Sequence, residues 1–366
     1  MSFAGILRIG AAALLLGAAG CATKYYAVGD SAKGDGGVYC YAVGEDQPAV
    51  FSPVGTLNYL IAGPCRDLFY GTVRDLPGGG KNDGGVVLLR RDRGDRFTVD
   101  ASTPTRSDNP CHLSLSPDGK YLFTANYGSG TVSVLPVWRA LPGAAELRYH
   151  TGSGPTSRQK APHPHFAGFD PQGGALYVTD LGTDSIYVYC YHPGRGLSRA
   201  ADQVLTLHSG AGPRHLVFAP AGDVLFVANE LDSTVTSFRK NLISGHWQPV
   251  LTLPTRFKPD DPQVRNYPGA ITATRDGKFF LVSNRGANTI ALFENYGGGR
   301  FTLLAEVPSG GDFPYDFAFA DRETRLIVPH RKSGNVSNFR FDRETKTLTR
   351  LPGEQKVPVA ARVMAK

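Results

Sequence analysis

Apolar residues recur at every second position in short runs along this chain, and the runs come in sets. The clearest set opens at Cys111: HLSLS, a Pro117-Asp118-Gly119 turn, YLFTAN, a glycine-containing turn, then TVSVLPV. A period of two puts alternate side chains on opposite faces, which is the signature of β-strands rather than helices. The set returns as HFAGFDPQGGALYVTD…SIYVYCY from His165 and as RHLVFAPAGDVLFVANE…TVTSFRK from Arg214. Further copies begin at Gly269 and Tyr315, and a more divergent one at Leu57. Turn residues Gly119, Gly173, Gly222 and Gly277 mark the repeat, with Glu323 in the equivalent place of the last copy. A variable fourth segment, such as QVLTLHS or FTLLAEV, completes each unit. No stretch keeps a helical period. Four antiparallel strands repeated about every 50 residues predict the blades of a propeller.

Six copies leave strand-like segments unassigned at Lys24–Val28, Gly37–Ala42 and Lys356–Met364. Joining both chain ends in one blade makes seven and closes the ring, which removes exposed strand edges. The predicted fold is all-β: a single seven-bladed β-propeller of four-stranded antiparallel blades over 22–366, closed by N- and C-terminal strands in one blade.

Composition adds detail without changing that picture. Of 366 residues, 41% are hydrophobic, enough for a sizeable core, and the 44 Gly and 26 Pro are spread along the chain, as many tight turns require. The formal charge of +7 is scattered, which excludes a concentrated nucleic-acid footprint and fits small anions. Ahead of the repeats, Arg8 precedes the apolar run Ile9–Ala19, too short to span a bilayer. Ala18-Ala19-Gly20-Cys21 resembles a bacterial lipobox, so residues 1–21 are expected to be a lipoprotein-type signal with Cys21 lipidated. That places the chain in the cell envelope, periplasmic or at the outer membrane, touching membrane through its lipid anchor only. Cys40, Cys65, Cys111 and Cys190 form no C-x-x-C, and their pairing is open.

Strand geometry localises the chemistry. The start of a blade's first strand and the end of its second lie at the same end of the central channel. These positions gather His112 with Asn126, His163 and His165 with Asp180, and Arg214 and His215 with Asn229 and Glu230. Tyr267 with Asn284 and Arg285, and Tyr315 and Asp316 with His330 and Arg331, complete the set. Convergence of ionisable groups from successive repeats points to a pocket, because burying them is costly unless they are paired or used. Asn126 and Asp180 can equally satisfy loop backbone groups.

The segments NPCHLSLSPDGKYLFTANYGSGTVSV, HPHFAGFDPQGGALYVTDLGTDSIYVY, GPRHLVFAPAGDVLFVANELDSTVTSF and DGKFFLVSNRGANTIALF resemble the bacterial 6-phosphogluconolactonase family, which is related to carboxy-muconate cyclases. The resemblance implies a seven-bladed lactonase with His163, His165 and Glu230 in catalysis and Arg214 and Arg285 holding an anionic sugar lactone or its aldonate. His112, His215, Asp180 and Asn126 are expected to add substrate contacts. No cofactor is implied. Lactone opening needs a base for water, a donor for the oxyanion and an acid for the leaving alkoxide, and these residue types supply all three. Pro314-Tyr315-Asp316 stands where such families usually carry an arginine; export together with that loss implies a non-phosphorylated or other acidic lactone. A non-catalytic binding propeller and a muconate-lactonising cyclase are the alternatives. Ser157-x-x-Lys160 lies between Pro155 and Pro162 and so lacks the helix that serine enzymes with this motif use.

Overall fold

The computed structural model describes residues 23–76 and 83–365, so the expected signal and Cys21 lie outside the described residues. Seven antiparallel sheets succeed one another around a central channel. Blade 1 joins the chain ends: Ala360–Ala365 is its inner strand, paired antiparallel with Lys24–Gly29, followed by Gly37–Ala42 and Val50–Ser52. The inner strands of blades 2 to 7 are Leu57–Ala62, Pro110–Leu115, Pro164–Phe169, Pro213–Phe218, Tyr267–Ala273 and Ala318–Ala320. The predicted ring closure is therefore observed, and the divergent copy at Leu57 is a full blade.

Apolar faces of neighbouring blades form the core. Phe226, Phe280 and Phe293 stack between blades 5 and 6, and Leu326, Val328 and Phe339 of blade 7 pack on Leu281 and Leu292 of blade 6. The turn glycines that marked the repeat share one backbone state: φ is 69° at Gly119, 71° at Gly173, 74° at Gly222 and 68° at Gly277. A side chain at Gly277 would also meet Pro220 Cδ of the preceding blade at 2.4 Å. Glu323 adopts φ 69° in the same place, and its carboxylate accepts a hydrogen bond from Arg275 N of the preceding blade at 2.7 Å. That hydrogen bond accompanies the left-handed backbone, which carries a steric cost in a non-glycine residue.

Candidate functional site

Most inner strands begin the same way. A β-bulge follows the first residue pair in blades 2 to 5 and the second in blade 6, and in blades 3 to 6 the residue before the bulge is a proline. Proline lacks the N–H a ladder needs, so it belongs at a strand's first residue or at a bulge. The unpaired residue of a bulge is re-aimed out of the sheet. Those residues are Asn58, Cys111, His165, Arg214 and Gly269, and Tyr315 follows the isolated Pro314–His330 bridge in blade 7. Gly269 is the small member because a Cβ would stand 3.0 Å from Arg285 Nε and 2.6 Å from Ser283 Oγ.

A second ring lies above the first, made by the second-strand residue that follows the pair next to each bulge, or its equivalent in blades 1 and 7: Asp30, Arg74, Tyr127, Leu181, Glu230, Arg285 and Arg331. Charges in it pair around the ring. Asp30 bridges Arg331 at 2.6 Å and Arg74 at 2.8 Å from the two flanking blades. Glu230 Oε2 accepts from Arg285 Nη2 at 2.5 Å and stands 3.3 Å from Arg214 Nε. Its Oε1 accepts from Arg158 Nη1 at 2.7 Å. Tyr315 lies beneath three guanidinium groups, with ring centroids 5.0, 5.6 and 5.0 Å from Arg214, Arg285 and Arg331. The cavity at the channel mouth is lined by members of both rings together with Asn109 and Arg158.

The floor is a third layer, one residue further along each inner strand. Arg362 donates to Asp316 at 2.7 Å and covers the Tyr59 ring at 4.4 Å. Tyr59 Oη meets His112 Nε2 at 2.8 Å, and His112 packs against Phe166 and His215. His112 Nδ1 accepts from Ala167 N at 3.3 Å, which assigns the ring proton to Nε2 and makes Tyr59 the acceptor.

Of the residues expected at the site, His165, Glu230 and Arg285 line the cavity, and Arg214 is buried against Glu230. The others sit elsewhere. His112 and His215 belong to the floor. His163 donates from Nδ1 to Tyr127 O at 2.8 Å and stacks on the Tyr127 ring, supporting the wall from behind. Asn126 spends its amide on Thr131 and Ser133 within its own blade, at 3.1 and 2.8 Å. Asp180 accepts from His163 N, Gly182 N and His150 Nδ1 and is fully buried. Both are the pairing partners of the strand-opening prolines, so the next residue, not they, faces the channel. In blade 3 that residue is Tyr127. Arg158 comes from the connection between blades 3 and 4 and has no counterpart in the repeat; its Nη2 donates to Tyr127 Oη at 3.0 Å. Cys65, Cys111 and Cys190 carry no disulfide, and Cys40 is buried in the core beside Tyr26 and Val38.

Electrostatics divide these groups by role. Burial acting alone would raise the Glu230 carboxyl, but the Arg285, Arg214 and Arg158 guanidinium groups hold it well below the usual carboxylate range. Desolvation first, and Arg214 after it, push His165 well below 6.5, so the imidazole is neutral at physiological pH. Desolvation lowers His215 and His112 as well, and takes His330 to about 4. Desolvation raises the Cys111 thiol to about 12, so the Sγ that stands 3.7 Å from His165 Nδ1 is protonated and not a nucleophile.

These histidines make stability pH-dependent in a definite direction. Their folded pKa values lie below the unfolded value, so below pH ~6.5 the unfolded chain binds protons the folded one refuses. Unfolding free energy is expected to be flat above that pH and to fall by about 1.4 kcal/mol per pH unit per histidine below it. Urea titrations at a series of pH values between neutrality and pH ~5 check this, and a flat profile across that range contradicts neutral burial.

Relatives agree with the architecture. The chain is 32% identical over 353 residues to the Bacillus subtilis (strain 168) protein named 6-phosphogluconolactonase, covering 92% of this chain and 97% of that one. Its structure superposes on the periplasmic gluconolactonase of Pseudomonas aeruginosa with a TM-score of 0.84 at 26% identity, covering 94% and 98% of the two chains. With the family model for the seven-bladed β-propeller lactonases matching residues 23–365, the chain belongs to that family.

Proposed function

We propose that the chain hydrolyses a small sugar or acidic lactone in the channel-mouth cavity by general acid–base catalysis. One observation carries the reading: a single ionised carboxylate, Glu230, faces Arg158, Arg214 and Arg285 with neutral His165 on the same wall. Opening a lactone converts a neutral ester to a carboxylate through a tetrahedral oxyanion. Guanidinium charge in excess of what Glu230 neutralises is placed to receive that negative charge. His165 takes a proton from water as the water attacks the carbonyl carbon. When the ring C–O bond breaks, the imidazolium returns the proton to the departing alkoxide. Glu230, already ionised, orients the arginines and does not serve as the acid.

Names of the relatives divide over phosphate: the Bacillus protein is called a 6-phosphogluconolactonase and the Pseudomonas one a periplasmic gluconolactonase. The signal-like N-terminus favours an exported protein and a lactone without phosphate. A pH-stat assay on gluconolactone and 6-phosphogluconolactone tests both points. Accelerated opening of at least one is expected, larger for the unphosphorylated lactone, and suppressed in Arg214→Ala and Glu230→Gln. Tight aldonate binding by calorimetry with no acceleration on either lactone would establish a non-catalytic binding protein instead.

A further inference from the structure

The end of the propeller opposite the cavity has features that lactone chemistry does not use. Inner strands start at the cavity mouth, so third strands run away from it and their hairpins to the fourth strands cluster at the far end. Blade 3 there exposes Trp138 (76%) and Leu141 (50%), and blade 5 exposes Leu242 (79%) and Ile243 (99%). Blade 6 adds Tyr296 in its Asn295–Arg300 turn.

The blade 5 tip is built to present its pair. Asn241 Oδ1 accepts from Ile243 N at 2.9 Å and Ser244 N at 3.1 Å, and Gly245 N donates to Asn241 O at 2.7 Å. The turn is thereby held with both aliphatics outward. From Trp138 to Pro142 and from Arg239 to Trp247 the charged residues are Arg139, Arg239 and Lys240, while the carboxylates of this end, Glu294 beside Tyr296 among them, belong to other turns. Lys240 Nζ stays near its own hairpin, 5.8 Å from the Trp247 ring centroid. The chain also enters the propeller on this face, because Lys24–Gly29 runs from the far end to the mouth, where Asp30 sits in the cavity ring.

We propose that this far face is a membrane-contact surface, resting on an anionic lipid bilayer with the blade 3 and blade 5 tips in the headgroup region and the cavity opening away. Tips on blades 3 and 5 are separated by blade 4. A fluid surface accommodates separate points. Tryptophan and tyrosine favour the interface, aliphatics insert below it, and the arginines and lysine meet anionic headgroups. A lipid on Cys21 would join the propeller at this same face, so anchor and tips would engage one bilayer together.

Fluorescence quenching by lipids brominated on their acyl chains tests this with the full-length protein. On vesicles containing phosphatidylglycerol, emission of a Trp247→Phe variant, which retains Trp138 alone, is expected to be quenched, and added salt should reduce the quenching. The double variant Leu242→Ser/Ile243→Ser should partition to these vesicles about tenfold more weakly or worse. Its lactone turnover and thermal midpoint should be unchanged, because both side chains are solvent-exposed and remote from the cavity. Vesicle-bound protein with unquenched Trp138 overturns the proposal. So does protection of the tips from proteolysis only in the presence of a second protein, which would make them a protein-docking surface.

Discussion

Glu230→Ala is expected to lower the unfolding free energy by about 3–5 kcal/mol, the cost of leaving buried charges without their counterion. Arg214 is 1% exposed, and Arg285 is nearly as buried. Arg285 keeps two backbone acceptors, Tyr267 O at 3.0 Å and Pro268 O at 3.2 Å, but loses its carboxylate. Arg214 is left with the His215 ring nitrogen at 3.2 Å and the Tyr315 face. Arg158 is half-exposed, so its share is within the roughly 0–1 kcal/mol of surface pairs. Glu230→Gln keeps shape and an acceptor oxygen while removing charge, so a smaller loss in that variant assigns the difference to charge. Urea midpoints of both variants supply the comparison; a loss under about 1 kcal/mol in Glu230→Ala would mean the arginines find other partners.

Arg285→Ala is expected to cost about 10²–10³-fold in kcat/KM on whichever lactone proves the better substrate, as removal of a preorganised oxyanion donor does. Arg285 is placed for this by three independent constraints. Strand register sets its backbone one residue past the Pro268–Asn284 pair, Gly269 leaves room for its side chain, and Glu230 fixes its guanidinium. A loss expressed in kcat identifies a contact made in the transition state, whereas a loss confined to KM would make Arg285 a binding residue only. Arg158→Ala should have a smaller effect, because Arg158 lies at the exposed rim.

The ring was legible in the sequence because each blade repeats the same local decisions: period-two strands, a left-handed turn glycine, a variable outer strand. Even closure could be read, since two orphan strands at one end and one at the other have a single arrangement that leaves no edge. The site was half legible. Repeat position led to His165, Arg214, Glu230 and Arg285, but the bulge behind each strand-opening proline shifts register by one, and one residue in a strand is a change of face. Asn126 and Asp180 pair with strand-opening prolines, and in blade 3 it is Tyr127, one residue on, that lines the cavity. The signal was present as Pro110-Cys111, Pro164-His165, Pro213-Arg214, Pro268-Gly269 and Pro314-Tyr315, each a proline followed by a residue of the bulge ring or its blade 7 counterpart. Arg158 could not be found this way, because a connection between blades obeys no repeat, and only the folded chain brings it to Glu230 and Tyr127.

A crystal structure with a bound aldonate is the most direct measurement of whether this cavity is where lactone chemistry occurs. The account predicts the carboxylate within hydrogen-bond reach of Arg285 and Arg214 or Arg158, with His165 beside the carboxyl carbon. An aldonate bound on another face, with the channel mouth left vacant, would contradict it.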